Sequence, residues 1–204
     1  DDPDSFELIL VEDCGGDDSW DIIETLAAAD PRVRGLRLAR NSGQHNALLC
    51  GIRAARHDIL ITLDDDLQNP PEEIPHLLAK LAEGYDVVYG TPRQEQHGLW
   101  RDLASQITKL VLQSAMGAQT ARNVSPLRAF RVQVRDAFAV YQSPYVSIDV
   151  LLTWGTTRFA ATPTRHDPRR AVRFAVLAAL GLALPASAVE MVVPRVGLQT
   201  GLGF

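Results

Sequence analysis

Three aspartates, Asp64, Asp65 and Asp66, follow an apolar run and precede Leu67-Gln68-Asn69-Pro70-Pro71. Side-chain oxygens at alternate positions, from Asp64, Asp66 and Gln68, could converge on one hard divalent cation, Mg²⁺ or Mn²⁺. A diphosphate would complete its coordination. The alternative is that the acids only cap the helix that follows. Three of them, one directly at the end of the run, exceed what a cap requires, so the spacing favours metal. A second acidic stretch, Glu12-Asp13-Cys14-Gly15-Gly16-Asp17-Asp18-Ser19, stands near the start, and Arg165, Arg169, Arg170 and Arg173 cluster near the end.

The elements that must position these residues can be read from apolar periodicity. Ile59-Leu60-Ile61-Thr62-Leu63 reads as a buried strand, and Pro70-Pro71 cannot extend it. The acidic triplet therefore sits at the carboxyl end of a strand, where open α/β sheets bind ligands. Further strands are expected at residues 6–11, 33–38, 85–89, 125–131 and 158–163. Helices are expected at 20–29, 45–56, 98–116, 132–140 and 149–154, with another from Pro71 to a C′ glycine at Gly84. Strands alternating with helices predict a mostly parallel, Rossmann-like sheet covered on both faces. Residues 174–189 are uncharged but interrupted by Pro185. They fall short of the ~20 residues that a membrane span needs. Preceded by arginines, they read as a juxtamembrane or interfacial helix, with an ordinary core helix as the alternative. The expected organisation is a catalytic domain over 1–164 and a basic, apolar membrane-proximal segment over 165–204.

Composition narrows the function. A net charge of −5 over 204 residues argues against general nucleic-acid binding. Cys14 and Cys50 form neither a disulfide framework nor a metal-binding spacing, which suits a reducing compartment. The opening Asp1-Asp2-Pro3-Asp4 is no signal peptide. The histidines His45, His57, His76 and His97 are not spaced as ligands and are assigned no chemistry. Trp20, Trp100 and Trp154 are assigned to core or interface packing.

Four segments together resemble the family-2 glycosyltransferases. Val11-Glu12-Asp13-Cys14-Gly15-Gly16-Asp17-Asp18-Ser19 is similar to V-D-D-G-S-x-D-x-S. Leu63-Asp64-Asp65-Asp66-Leu67-Gln68-Asn69-Pro70-Pro71-Glu72 is similar to D-A-D-L-Q-D-P-P-E of the polyprenyl-phosphate branch. Arg40-Asn41-Ser42-Gly43-Gln44-His45-Asn46-Ala47 resembles R-N-x-G-Q-x-x-A. The segment from Ser125 to Arg131 resembles S-x-F-R-A-F-R of dolichol-phosphate mannose synthases and bacterial undecaprenyl-phosphate glycosyltransferases. All four stand in the family's order, over roughly residues 6–166.

The resemblance implies a GT-A fold. It also implies transfer of a sugar from a UDP- or GDP-linked donor to a polyprenyl phosphate, on the cytoplasmic face of a membrane. By matching position, Glu12, Asp13, Asp17, Gln44, Asp65 and Arg93 would bind the nucleotide. Asp64, Asp66 and Gln68 would hold the metal, Asp66 and Arg128 would act in catalysis, and Arg165, His166 and Arg169 would meet the acceptor. The resemblance also points towards a homo-oligomer. Residue by residue, simpler roles stay open. Asp13 and Asp17 could be turn or capping residues, Gln44 could merely start a helix, Arg128 could form a surface ion pair, and the arginine cluster could be a solvated face.

Two departures stand out. The family normally opens with a strand and a P-x-Y-N-E turn that forms part of the nucleotide pocket; that strand should precede Asp1, and nothing in the chain is expected to replace it. After Arg169 the family's G-x-S-x-Y-like segment is replaced by Arg170-Ala171-Val172-Arg173-Phe174. Cys14 also stands where the family has glycine, a costly exchange if that position needs a positive φ. A phosphate acceptor is already anionic and can attack without a strong base, so a single displacement with inversion is expected. The alternatives are a saccharide acceptor, which needs a general base near Asp149, and a non-catalytic nucleotide-sugar-binding fragment.

Overall fold

A computed structural model describes residues 6–64, 68–92, 124–165 and 189–195. Their strands are β1 (Phe6–Glu12), β2 (Val33–Arg37), β3 (Ile59–Thr62), β4 (Val87–Pro92), β5 (Arg128–Arg131), β6 (Phe159–Thr164) and β7 (Val189–Arg195). The helices are α1 (Ser19–Ala29), α2 (Gln44–Ala54), α3 (Ile74–Ala82, entered through a 3₁₀ turn at Pro71–Glu73), α4 (Gln133–Asp136) and α5 (Ile148–Gly155). One sheet runs in the order β2-β1-β7-β3-β5-β4-β6. Within it β5 runs antiparallel to both β3 and β4, while the other pairings are parallel.

Alternation along the strands explains the two covered faces. Ile9, Leu60, Val87, Phe130 and Phe159 enter one core with Leu48 and Ile52 of α2 and Leu151 and Leu152 of α5. Their neighbours Leu8, Ile61, Val88, Ala129 and Ala160 enter the other, with Ile74, Leu77 and Leu81 of α3. Successive side chains of a strand point to opposite faces, so strands this apolar need cover on both sides. The expected α/β sheet is therefore what forms.

Three expectations change. Nothing in the sequence stood out as an added strand, yet β7 supplies one. It pairs in parallel with β1 from Phe6↔Val189 to Glu12↔Arg195, and with β3 from Ile59↔Val189 to Thr62↔Val192. Those residues were assigned to a membrane-proximal segment over 165–204, but their backbone lies inside the sheet built by residues of 1–164. The helix expected at 132–140 is only one turn, Gln133–Asp136. The helix expected at 98–116 lies outside the described residues, as does the one expected at 174–189 except for Val189, which opens β7.

Candidate functional site

The carboxyl ends of β1 and β3 face the loop that follows β2, and polar side chains tie these three segments together. Asp13, the residue after β1, is wholly buried. Its Oδ1 accepts the backbone N–H of Ser42 and its Oδ2 that of Gly43, each at 2.7 Å. A carboxylate that receives two backbone N–H groups is held in charge-assisted hydrogen bonds. Gly43 has φ +87, a conformation that glycine adopts without penalty, and its carbonyl accepts N–H groups from Asn46 and Ala47 to start α2. Gln44, first residue of α2, then donates from Nε2 to Asp64 Oδ1 at 2.5 Å. The first and third motifs are thus joined through the second.

Beside Asp13, Glu12 is buried and its Oε1 accepts the Gly15 N–H at 2.5 Å. Arg37 Nε stands 3.2 Å from Glu12 Oε2 as an ion pair, although that oxygen makes no aligned hydrogen bond among the described residues. Asp17 accepts both the N–H and the hydroxyl of Ser19, which organises the entry to α1. These contacts to Ser19 form a local turn just ahead of the helix. Cys14 does adopt a positive φ, +55.

A second polar group lies on the other side of β3. Arg128 opens β5 opposite Thr62 of β3 and beside Tyr89 of β4. At 3 % exposure it is no surface residue. Its Nη1 donates to Asp149 Oδ1 at 2.5 Å, and the Tyr89 hydroxyl donates to the same oxygen at 3.0 Å. The guanidinium also lies 6.0 Å from the centroid of the Tyr89 ring. Burial, then the negative charge of Asp149, pushes the Tyr89 hydroxyl well above its usual value, so it remains a donor. His45 follows Gln44, and its Nδ1 accepts the Ile148 N–H at 3.4 Å. Burial first, and the Arg128 charge second, lower the pKa of His45, while Asp149 opposes them. The imidazole is therefore held towards its neutral form.

Asp64 and Gln68 present only oxygen ligands and amide groups at the mouth of β3, a donor set that suits a hard cation. No cluster of three His, Cys, Asp or Glu side chains occurs among the described residues. The remaining expected donors and contacts, Asp65, Asp66, Arg93, His166 and Arg169, lie outside those residues. Arg165 is described, and its Nε donates to Glu73 Oε1 at 2.9 Å, in the 3₁₀ turn that follows the acidic loop. Glu73 also meets His76 Nδ1 at 3.0 Å. Although burial opposes it, the bonds from Arg165 and His76 keep the Glu73 carboxyl below its usual value.

Sequence reasoning assigned no role to His45 and Tyr89, and placed Asp149 only near a base for a saccharide acceptor. The adjacency of His45 to Gln44 was the available signal. The link from Tyr89 to Asp149 spans 60 positions and needs the sheet order.

Comparison with known proteins identifies the family. Residues 2–145 match the model of the family described as glycosyl transferase family 2. Undecaprenyl-phosphate 4-deoxy-4-formamido-L-arabinose transferase of Shewanella sediminis is 38% identical over 165 residues, covering 80% of this chain and 50% of that protein. Its counterpart from Aeromonas hydrophila is 40% identical over 167 residues, covering 81% and 51%. The chain thus spans about half the length of these relatives. The crystal structure of S. aureus TarS 1-349 in complex with UDP superposes with a TM-score of 0.52 at 18% identity, over 78% of this chain and 48% of that one. At that identity the likeness concerns the fold.

Proposed function

Because the chain belongs to glycosyl transferase family 2, we propose that it moves a sugar from a nucleoside-diphosphate donor to a polyprenyl phosphate at the cytoplasmic face of a membrane. The observation that carries this reading is the Gln44–Asp64 hydrogen bond. It joins the loop held by Asp13 to the acidic loop, so that the family's separate motifs form one rim. Relatives named undecaprenyl-phosphate transferases support the acceptor, and the TarS complex supports a nucleotide donor.

The chain's residues divide the work. Asp13 fixes the loop at residues 40–44, and Glu12 with Arg37 frames the neighbouring edge. Asp64 and Gln68, with Asp66, would hold Mg²⁺ or Mn²⁺. Such a cation supplies charge neutralisation to the departing diphosphate. Arg128, aimed by Asp149, binds phosphate oxygen through the N–H groups that Asp149 and the Pro126 carbonyl leave open. Asp149 Oδ1 is already engaged by hydrogen bonds from both Arg128 and Tyr89. That favours an acceptor which is already an anion over a hydroxyl that must lose a proton. Attack by the acceptor phosphate on the anomeric carbon, with the nucleoside diphosphate leaving from the opposite face, inverts that centre. Arg165, with His166 and Arg169, would bring positive charge to the acceptor.

The test is calorimetric titration of the chain with UDP and with GDP, with and without Mn²⁺, beside Asp64→Ala. One nucleotide should bind in a metal-dependent way and lose at least about tenfold in affinity in the variant, or about 1.4 kcal/mol. A folded chain that binds neither nucleotide would overturn the reading. Retained configuration in a polyprenyl-phosphate sugar product would overturn the single displacement.

A further inference from the structure

Glu73 is a buried acid, 3 % exposed, at the end of the 3₁₀ turn through which the acidic loop enters α3. Its two oxygens serve different partners. Oε1 accepts Arg165 Nε at 2.9 Å, and Oε2 meets His76 Nδ1 at 3.0 Å. The arginine it holds is the more exposed member of the pair, with 57 % of its side chain accessible. As a stabilising device such a pair is weak, because the solvation lost by the buried acid offsets much of the attraction. What it supplies is orientation of an accessible cation.

Both ends of this link are firmly rooted. On one side, only Asn69, Pro70, Pro71 and Glu72 separate Gln68 from Glu73. The two prolines fix their own φ, Asn69 is buried, and the Glu73 N–H closes onto the Pro70 carbonyl at 3.0 Å. Ile74 and Leu77 then enter the core. The stretch from Gln68 to Glu73 is therefore a short, stiff strut. On the other side, Arg165 follows Thr164, the last residue of β6. Thr164 is wholly buried and donates from its hydroxyl to the Thr91 carbonyl at 3.3 Å. Strand β6 is parallel to β4, and β5 is antiparallel to both β4 and β3, so β6 and β3 end at the same end of the sheet. Arg165 thus stands at the end that carries Asp64 and Arg128.

We propose that Glu73 is a positioning residue that couples the two substrates: it holds Arg165 in the place set by the acidic loop, so that a filled donor side raises the affinity for the acceptor phosphate. A bound metal and nucleotide restrict the acidic loop at Gln68. The strut passes that restriction to Glu73, and the carboxylate passes it to the guanidinium. Arg165 is then already ordered when the acceptor arrives, and the acceptor does not bear the cost of ordering it. Such coupling is reciprocal, so the acceptor tightens nucleotide binding by the same factor. This rests on the reading above, in which Gln68 faces the donor's metal and Arg165 the acceptor.

The experiment is calorimetric titration of the full chain with farnesyl phosphate, a short prenyl phosphate, with and without saturating UDP and Mn²⁺. It compares the parent chain with Glu73→Gln, Arg165→Gln and the double variant. In the parent, the nucleotide and metal should tighten farnesyl phosphate binding on the order of tenfold. Glu73→Gln keeps the size of the side chain but not its charge, and the tightening should fall to about twofold or less. Its affinity for UDP and Mn²⁺ alone should stay that of the parent, which a general loss of structure would not allow. Arg165→Gln changes an accessible side chain and should lose the tightening equally, and the double variant should lose no more than Arg165→Gln. Tightening that survives in either single variant would overturn the coupling, even if urea unfolding showed a loss of stability. Additive losses in the double variant would also overturn it, because Glu73 would then not act through Arg165. A parent chain that binds both ligands independently would sink the coupling and leave the transferase reading standing. A parent chain that binds no nucleotide, UDP or GDP, would sink that reading and the coupling with it.

Discussion

The two sides of the rim use buried charge in different ways. At Asp13 a buried carboxylate spends both oxygens on backbone N–H groups of another loop. At Arg128 a buried cation is opposed by a side chain, and Asp149 engages only part of a guanidinium with five N–H donors. The Asp13 side is scaffold, because its charge holds a fixed backbone conformation. On the proposed function, the Arg128 side would respond to a ligand, because an incoming phosphate would add to or draw on the ion pair. Charge held by backbone builds the pocket; charge held by side chains can act in it.

Substitution should separate the two most sharply. Asp13→Ala removes two charge-assisted hydrogen bonds and should cost about 3–5 kcal/mol of unfolding free energy. Arg128→Ala leaves the Asp149 carboxylate buried without its cation, with the Tyr89 hydroxyl as its remaining donor, and should cost a similar amount, about 3–5 kcal/mol. The difference lies in rescue. Arg128→Met combined with Asp149→Leu removes both charges and should recover most of the stability, though not the affinity for a nucleoside diphosphate. No second side-chain change can rescue Asp13→Ala, because its partners are backbone groups. Urea unfolding of the four proteins checks this. A double variant no more stable than Arg128→Ala would show that the pair is scaffold as well.

The same contrast governs what could be read from sequence. Strands β1 and β3 were legible because their residues are apolar on both faces, and the acidic loop was legible because its side chains are adjacent in the chain. Asp13 could be read as a ligand residue or a turn residue. It binds backbone, as a turn residue does, but at Ser42, 29 positions later in the chain. Arg128 was legible as a motif residue, whereas its partner required knowing that β5 lies between β3 and β4. Strand β7 was hidden for a physical reason. Glu190 and Pro194 interrupt its pattern, and proline gives up one ladder donor near the strand's end. His45 is not legible from spacing, because its Nδ1 meets the Ile148 N–H from 103 positions away.

A smaller effect tests how rigid the scaffold side is. Cys14 lies directly after Asp13 with φ +55, where a side chain is strained. Cys14→Gly should raise stability by about 1 kcal/mol, because relief of strain exceeds the added freedom of the unfolded chain. The denaturation midpoint should rise with an unchanged slope. No gain would mean that the loop relaxes around Cys14, and the scaffold side would then be softer than its hydrogen bonds suggest.

The smallest effect concerns the responsive side and is read by pH. Folding lowers the pKa of His45, through burial and then through the Arg128 charge. The unfolded chain therefore binds this proton more readily than the folded one, so stability is full above the unfolded value near 6.5 and declines as pH falls below it. Asp30, Asp86 and Glu73 are held below their ordinary carboxylate values, so their contributions are lost only in more acid solution. Between pH 7.5 and pH 5.5, His45→Gln should thus lose less unfolding free energy than the parent chain, while its amide oxygen can still accept the Ile148 N–H. Asp149→Asn should enlarge the loss, because the carboxylate it removes is the group that favours protonated His45. Equal losses in all three chains would mean that His45 does not sense the Arg128–Asp149 pair, and the responsive side would reduce to that pair alone.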